Sequence, residues 1–279
     1  MLKRILTSVV AICVLVPALI FSGTIVFPIA IGVVTLLCLY EMFKCAGLQK
    51  RWALLLPAYV FGAVAPLLLR YIENTSWVAL LSFIVAALYL IYVFAFVVWS
   101  HGKLLFGDTM AVTLMAMYIV AAMSSILYVR DFDEGGKYLY LLIFIGAWIT
   151  DTFAYFTGYF FGKHKLIEDV SPKKTVEGSI GGILFCVAAF AVFGLVVDTW
   201  FDRDANLLLL MLSGFVISLI AQIGDLIMSV IKRHYQIKDF GKIFPGHGGM
   251  LDRFDSILAV SLGLGAVCMF SVLTGIRLI

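Results

Sequence analysis

Ser213-Gly-Phe-Val-Ile-Ser-Leu-Ile-Ala-Gln-Ile-Gly-Asp-Leu-Ile-Met-Ser-Val-Ile231 is long enough to cross a bilayer and carries a single charge, Asp225. A helix of about 20 apolar residues spans the hydrocarbon because its backbone satisfies its own hydrogen bonds where water is absent. A carboxylate inside such a helix costs about 2.5 to 3.5 kcal/mol on insertion scales, so it marks a function unless something pairs it. Similar apolar runs fall near 5–22, 24–42, 52–70, 77–99, 106–128, 138–161, 179–200, 205–231 and 256–278, which makes nine expected spans. The chain has 279 residues, 63% hydrophobic and 13% charged. Soluble domains carry about 25% charged residues, so that class is excluded. The expected fold is all-α, a polytopic integral membrane protein.

Met1-Leu-Lys-Arg4 before an apolar stretch has the charge of a secretory signal. Phe21-Ser-Gly-Thr24 lacks a small-x-small cleavage site, and more spans follow, so the stretch reads as the first span. The five cysteines, Cys13, Cys38, Cys45, Cys186 and Cys268, are scattered and mostly within apolar runs, which suits buried thiols rather than a disulfide framework or a metal cluster. Placing the N-terminus in the cytoplasm puts 15 of the 20 Lys and Arg residues on the inside. Only Arg70, Arg130, Lys137, Arg203 and Arg277 are left outside, the bias that sets membrane orientation. Trp52, Trp77, Trp99 and Trp200 fall at span ends, as an interfacial belt requires.

Residues 1–137 contain few polar side chains within their spans and read as a transmembrane scaffold; Glu41 and Asp108, near span ends, read as solvated or capping carboxylates. Residues 138–279 hold the unusual polar positions and read as the catalytic region of one integrated membrane domain. Asp151, Tyr155, Gly158 and Gly162 share one helical stripe, either a close-packing face or the lining of a substrate cavity. The segment from Gly162 to Gly182 contains Ser171-Pro-Lys-Lys-Thr175 and several glycines. It reads either as a loop whose N–H groups cradle phosphate or as a basic loop drawn to anionic lipid. Gln222, Asp225 and Ser229 lie on one face of the eighth span, with Lys232 continuing the line.

Phe240-Gly-Lys-Ile-Phe-Pro-Gly-His-Gly-Gly-Met250 lacks the order of a nucleotide-binding P-loop. Asp252 and Asp255 follow it at i and i+3, on one face at the start of the last span. Hard oxygen ligands of this kind suit Mg²⁺, which takes one or two carboxylates and completes its shell with water and substrate phosphate. The alternative for this pair is compensation of the helix dipole. His247 reads as a phosphate donor beside these carboxylates.

Ser229-Val-Ile-Lys-Arg233, then Lys238-Asp-Phe-Gly241, then Phe244-Pro-Gly-His-Gly-Gly-Met-Leu-Asp-Arg-Phe-Asp255 resembles the signature of phosphatidate cytidylyltransferases, the CDP-diacylglycerol synthases, with every position filled. Gly162-Lys-His-Lys-Leu166 and Ser171-Pro-Lys-Lys-Thr-Val-Glu-Gly178 are also similar to that family, while Tyr159 stands where many relatives carry a basic residue. The resemblance implies transfer of CMP from CTP to phosphatidate, with Mg²⁺ required, Mn²⁺ as a substitute and room for a second cation. Asp225, Asp252 and Asp255 are then the expected metal ligands. Lys232, Arg233, Lys238 and His247 join them in catalysis. Substrate contacts fall to Asp151, Tyr155, Lys173, Lys174, Ser229, Gly248, Gly249 and Arg253.

The implied partners are CTP, phosphatidate and the lipid bilayer, with a homodimer allowed and no nucleic acid. The implied location is a bacterial inner (plasma) membrane with the N-terminus and active site cytoplasmic. Two rivals belong to other reactions. A CTP-dependent lipid-alcohol kinase would release CDP, and a cation-coupled transporter would use Asp151 and Asp225 as intramembrane ion ligands. A CDP-alcohol phosphotransferase is disfavoured, because its Asp-Gly-x-x-Ala-Arg core is absent.

Overall fold

The computed structural model describes residues 13, 15–72, 75–133, 135–246 and 248–279. Eight helices among them are long and apolar enough to cross a membrane, and the protein is an all-α polytopic membrane protein. Half of the expected first span, 5–22, falls outside the described residues, and the count among the described residues is eight rather than nine.

Two compact units form. The first comprises Met1–Leu127 and Ile237–Arg253. It contains α1 (Val26–Cys45), α2 (Trp52–Tyr71), α3 (Thr75–Trp99) and most of α4 (Phe106–Arg130). The segment Ile237–Arg253 groups with the N-terminal spans. α1 and α2 pack closely because Gly62 is small: a Cβ there would come within 2.9 Å of Leu39 Cδ1. This is the small-residue contact by which membrane helices approach without a hydrophobic driving force. Pro57 and Pro66 sit inside α2, where the surrounding spans tolerate them.

The second unit comprises Tyr128–Gln236 and Phe254–Ile279. After a single turn, α5 (Gly136–Leu139), it is built on α6 (Leu141–Phe161), α7 (Val176–Phe201), α8 (Leu207–His234) and α9 (Leu251–Thr274), which enters this unit after its first turn. α6 packs on α7 and α8 along small residues and a buried Thr150 Oγ1 to Ser218 Oγ hydrogen bond of 3.0 Å. Phe190 is wholly buried between Gly146 and Gly214.

The segment between α6 and α7 is more ordered than a glycine-rich loop. Its residues form an antiparallel hairpin, β1 (Lys165–Ile167) with β2 (Ser171–Thr175), in which Lys165 pairs with Thr175 and Ile167 with Ser171. Pro172 suits β2 because such a short strand at a sheet edge has a face without ladder bonds to donate.

Candidate functional site

The hairpin aims its second strand at the start of α7. Thr175 is the N-cap, its hydroxyl accepting the Gly178 N–H at 3.1 Å, which satisfies one of the donors a helix start leaves unpaired. Glu177, in the first turn, accepts the N–H groups of Lys163 (3.1 Å) and His164 (3.3 Å) and pairs with His164 Nδ1 at 2.6 Å. A Cβ on Gly158 would lie 2.8 Å from Thr175 Oγ1, so the hairpin can seat against α6 only where α6 is bare. The Gly158 and Gly162 stripe is thus a packing face for the hairpin and α7. Tyr155, on the same stripe, is 65% exposed.

Fixed in this way, Lys174 reaches α8. Its Nζ lies 2.6 Å from Asp225 Oδ2, the Lys174 and Asp225 side chains being about a quarter exposed, and 3.4 Å from the Gln222 carbonyl oxygen. Gln222 is buried and donates from Nε2 to the Ser179 carbonyl oxygen at 3.3 Å, closing the corner between α7 and α8. Lys173 is exposed. The end of α8 is tied to the hairpin turn by Arg233 Nε, which donates to the Val170 carbonyl oxygen at 3.5 Å. Ser229 and Lys232 are half-buried on α8.

α9 meets α8 at Gly224, where a Cβ would come within 2.5 Å of Ala259 Cβ and 3.1 Å of the Asp255 carbonyl oxygen. That approach brings Asp255 near Asp225. Asp225 and Asp151 both act on Asp255 electrostatically, and Lys232 opposes them. Asp151 Oδ2 accepts the Ser256 hydroxyl at 2.8 Å, and Asp255 Oδ1 accepts the Ser256 N–H at 2.9 Å. Three carboxylates from α6, α8 and α9 therefore gather with Lys174 in the second unit. Ser256 was invisible as a site residue in sequence, because a lone serine in an apolar helix carries no chemical pattern.

In the first unit the glycine-rich loop surrounds two other carboxylates. Asp252 is buried, and its Oδ2 accepts the N–H groups of Phe240 (2.8 Å) and Gly249 (2.9 Å). Expected as a metal ligand, it has a structural duty that the sequence does not display. Gly248 has φ +86° and a position where a Cβ would lie 2.8 Å from Asp252 Oδ2, so both backbone and space favour glycine. Phe244 N–H donates to the Gly248 carbonyl oxygen at 2.9 Å, which closes the loop. Lys238, Lys242 and Arg253 are exposed. His247 lies outside the described residues.

Glu41, read in sequence as solvated or capping, is a buried cap: it accepts the N–H groups of Met250 at 3.1 Å and Leu251 at 2.8 Å.

The carboxylate cluster of the second unit suits Mg²⁺. Its donors are hard oxygens, and Asp225 already draws a cation in Lys174. Among the described residues no three His, Cys, Asp or Glu side chains close into a ready cage. An ion that keeps water and phosphate in its shell does not require one.

A sequence model of the Cytidylyltransferase family matches residues 2–271. A phosphatidate cytidylyltransferase of Bacillus subtilis is 33% identical over 272 residues, covering 93% of this chain and 94% of that protein. Those of Staphylococcus epidermidis and Staphylococcus haemolyticus are 32% and 33% identical over 92% of this chain and 95% of theirs. With its family pattern matched along nearly the whole length, this chain belongs to the cytidylyltransferase family.

Proposed function

We propose that the protein transfers the CMP moiety of CTP to phosphatidate, releasing pyrophosphate and forming CDP-diacylglycerol. A phosphate oxygen of phosphatidate attacks the α-phosphorus of CTP, and the bond from that phosphorus to the oxygen bridging to the β-phosphate breaks. Because the nucleophile is already an oxyanion, no strong general base is needed, in keeping with a site that offers carboxylates, lysines and arginine. The observation that carries this reading is the Lys174–Asp225 pair beside Asp255, charged groups gathered within a chain of membrane spans.

Two anionic reactants repel, so the site must supply positive charge where phosphate charge develops. Asp225 and Asp255 would hold Mg²⁺, with Mn²⁺ as its substitute, and the bound ion would neutralise phosphate oxygens. Lys174 and Lys232 add ammonium groups that stay close to the carboxylates until phosphate arrives. Lys173, exposed beside Lys174, binds the triphosphate from solution, and Arg233 holds the hairpin turn against the end of α8. Positive-inside charge supports a cytoplasmic site and N-terminus in a bacterial plasma membrane, where CTP is available and the acyl chains remain in lipid.

The test is pyrophosphate release from CTP by detergent-purified protein. Release that requires both phosphatidate and Mg²⁺, matched by cytidylylated lipid, is the expected result; CDP release would point to a lipid kinase instead. Asp225→Asn and Asp255→Asn should each reduce turnover by at least about 10³-fold in folded protein, the scale of losing a principal charge-stabilising group.

A further inference from the structure

Glu41 stands near the end of α1, 1% exposed, in the region that reads as plain scaffold. Its two oxygens accept the Met250 and Leu251 N–H groups, 209 and 210 residues further along the chain. Those donors lie at the start of α9, where a helix leaves N–H groups without intrahelical partners. A cap usually comes from the adjoining residue; here a distant helix supplies it. The positive end of the α9 dipole offsets part of the penalty for burying that charge.

The glycines around the carboxylate agree with this duty. A Cβ on Gly241 or on Gly249 would overlap the Glu41 carboxylate. Gly249 is gripped from both sides, since its N–H goes to Asp252 while its Cα faces Glu41. Two buried carboxylates thus clamp the loop and fix where α9 begins. An apolar side chain at 41 would fill the space but leave two N–H groups unpaired.

We propose that Glu41 is a positioning residue for cytidylyl transfer: by capping α9 and seating the glycine loop, it sets the first turn of the helix, which carries Asp252 and continues into Asp255. The inference rests on the reading of Asp255 as a site residue.

Glu41→Gln and Glu41→Asp, purified in detergent, test it. Gln keeps the shape but turns an NH₂ group toward a backbone donor, and Asp keeps the charge on a shorter arm. Glu41→Gln is expected to lower kcat on the order of 10²-fold, as a misplaced reacting group does, with the phosphatidate KM little changed and the Mg²⁺ concentration for half-maximal rate raised. Glu41→Asp should recover part of kcat. In protein without ligands, tryptic cleavage after Lys242 should be faster in Glu41→Gln than in the parent, while cleavage after Lys165 keeps its rate.

Parental kcat in Glu41→Gln overturns the proposal. So does a loss of rate that only tracks the folded fraction, or unchanged cleavage after Lys242. If Glu41→Gln does not accumulate, Glu41→Asp decides: parental kcat and parental cleavage after Lys242 overturn the proposal, and a reduced kcat per folded molecule supports it. Asp255→Asn run in parallel keeps the questions separate, because activity in that variant would sink the site reading whatever the Glu41 series shows.

Discussion

Lys174 and Lys173 are neighbours in sequence with different surroundings, and their substitutions should separate accordingly. Lys174→Ala leaves Asp225 without its 2.6 Å partner, and kcat/KM should drop by about 10²- to 10³-fold, as when a charge-stabilising group is lost. Lys174→Arg keeps the charge but changes its shape and reach, so it should recover only part of that loss. Lys173→Ala should mainly raise the KM for CTP, since the side chain is exposed. Steady-state kinetics over both substrates checks all three, and an unchanged CTP KM in Lys173→Ala would remove that lysine from triphosphate binding. At this scale Asp225 was legible because a carboxylate in a run of apolar residues is conspicuous. Glu41 was legible only as a cap, with its partners 209 residues away hidden from any local pattern.

Among the elements, the hairpin is where sequence reading fell shortest. Three and five residues of strand are too few for an alternating pattern to emerge, and the glycines and Pro172 suggested a loop. Its attachment to α7 predicts that Thr175→Ala, which removes the N-cap hydroxyl, costs about 1 kcal/mol and lowers the detergent melting temperature. The α8–α9 contact makes a sharper claim. Gly224→Val would push its side chain into Ala259 and the Asp255 backbone, part the two helices and lower kcat by about 10²-fold without removing any charged group. Activity equal to the parent in that variant would show that the carboxylates of α8 and α9 need not be held together. The spans themselves were legible to within a few residues at most ends, because hydrocarbon thickness fixes their length; the last began earlier than its apolar run, since Asp252 and Asp255 lie inside the helix.

Over the whole molecule, the charge bias and the exposed indoles make one testable picture. Trp52, Trp77, Trp99 and Trp200 are each more than half exposed and lie at or near helix ends, where amphipathic rings favour the membrane interface. In a background without native cysteines, Asp204→Cys should react in intact cells with a membrane-impermeant thiol reagent, whereas Asp169→Cys in the hairpin turn should react only after lysis. The reverse pattern would invert the orientation. The long-range cap on α9 also bears on how the chain matures in time. Glu41 leaves the ribosome long before the N–H groups it will cap, so during synthesis its carboxylate waits unmatched until the last helix begins. Chains halted before residue 250 would lack both donors, so the glycine loop and the scaffold carboxylate become a matched pair only in the finished protein.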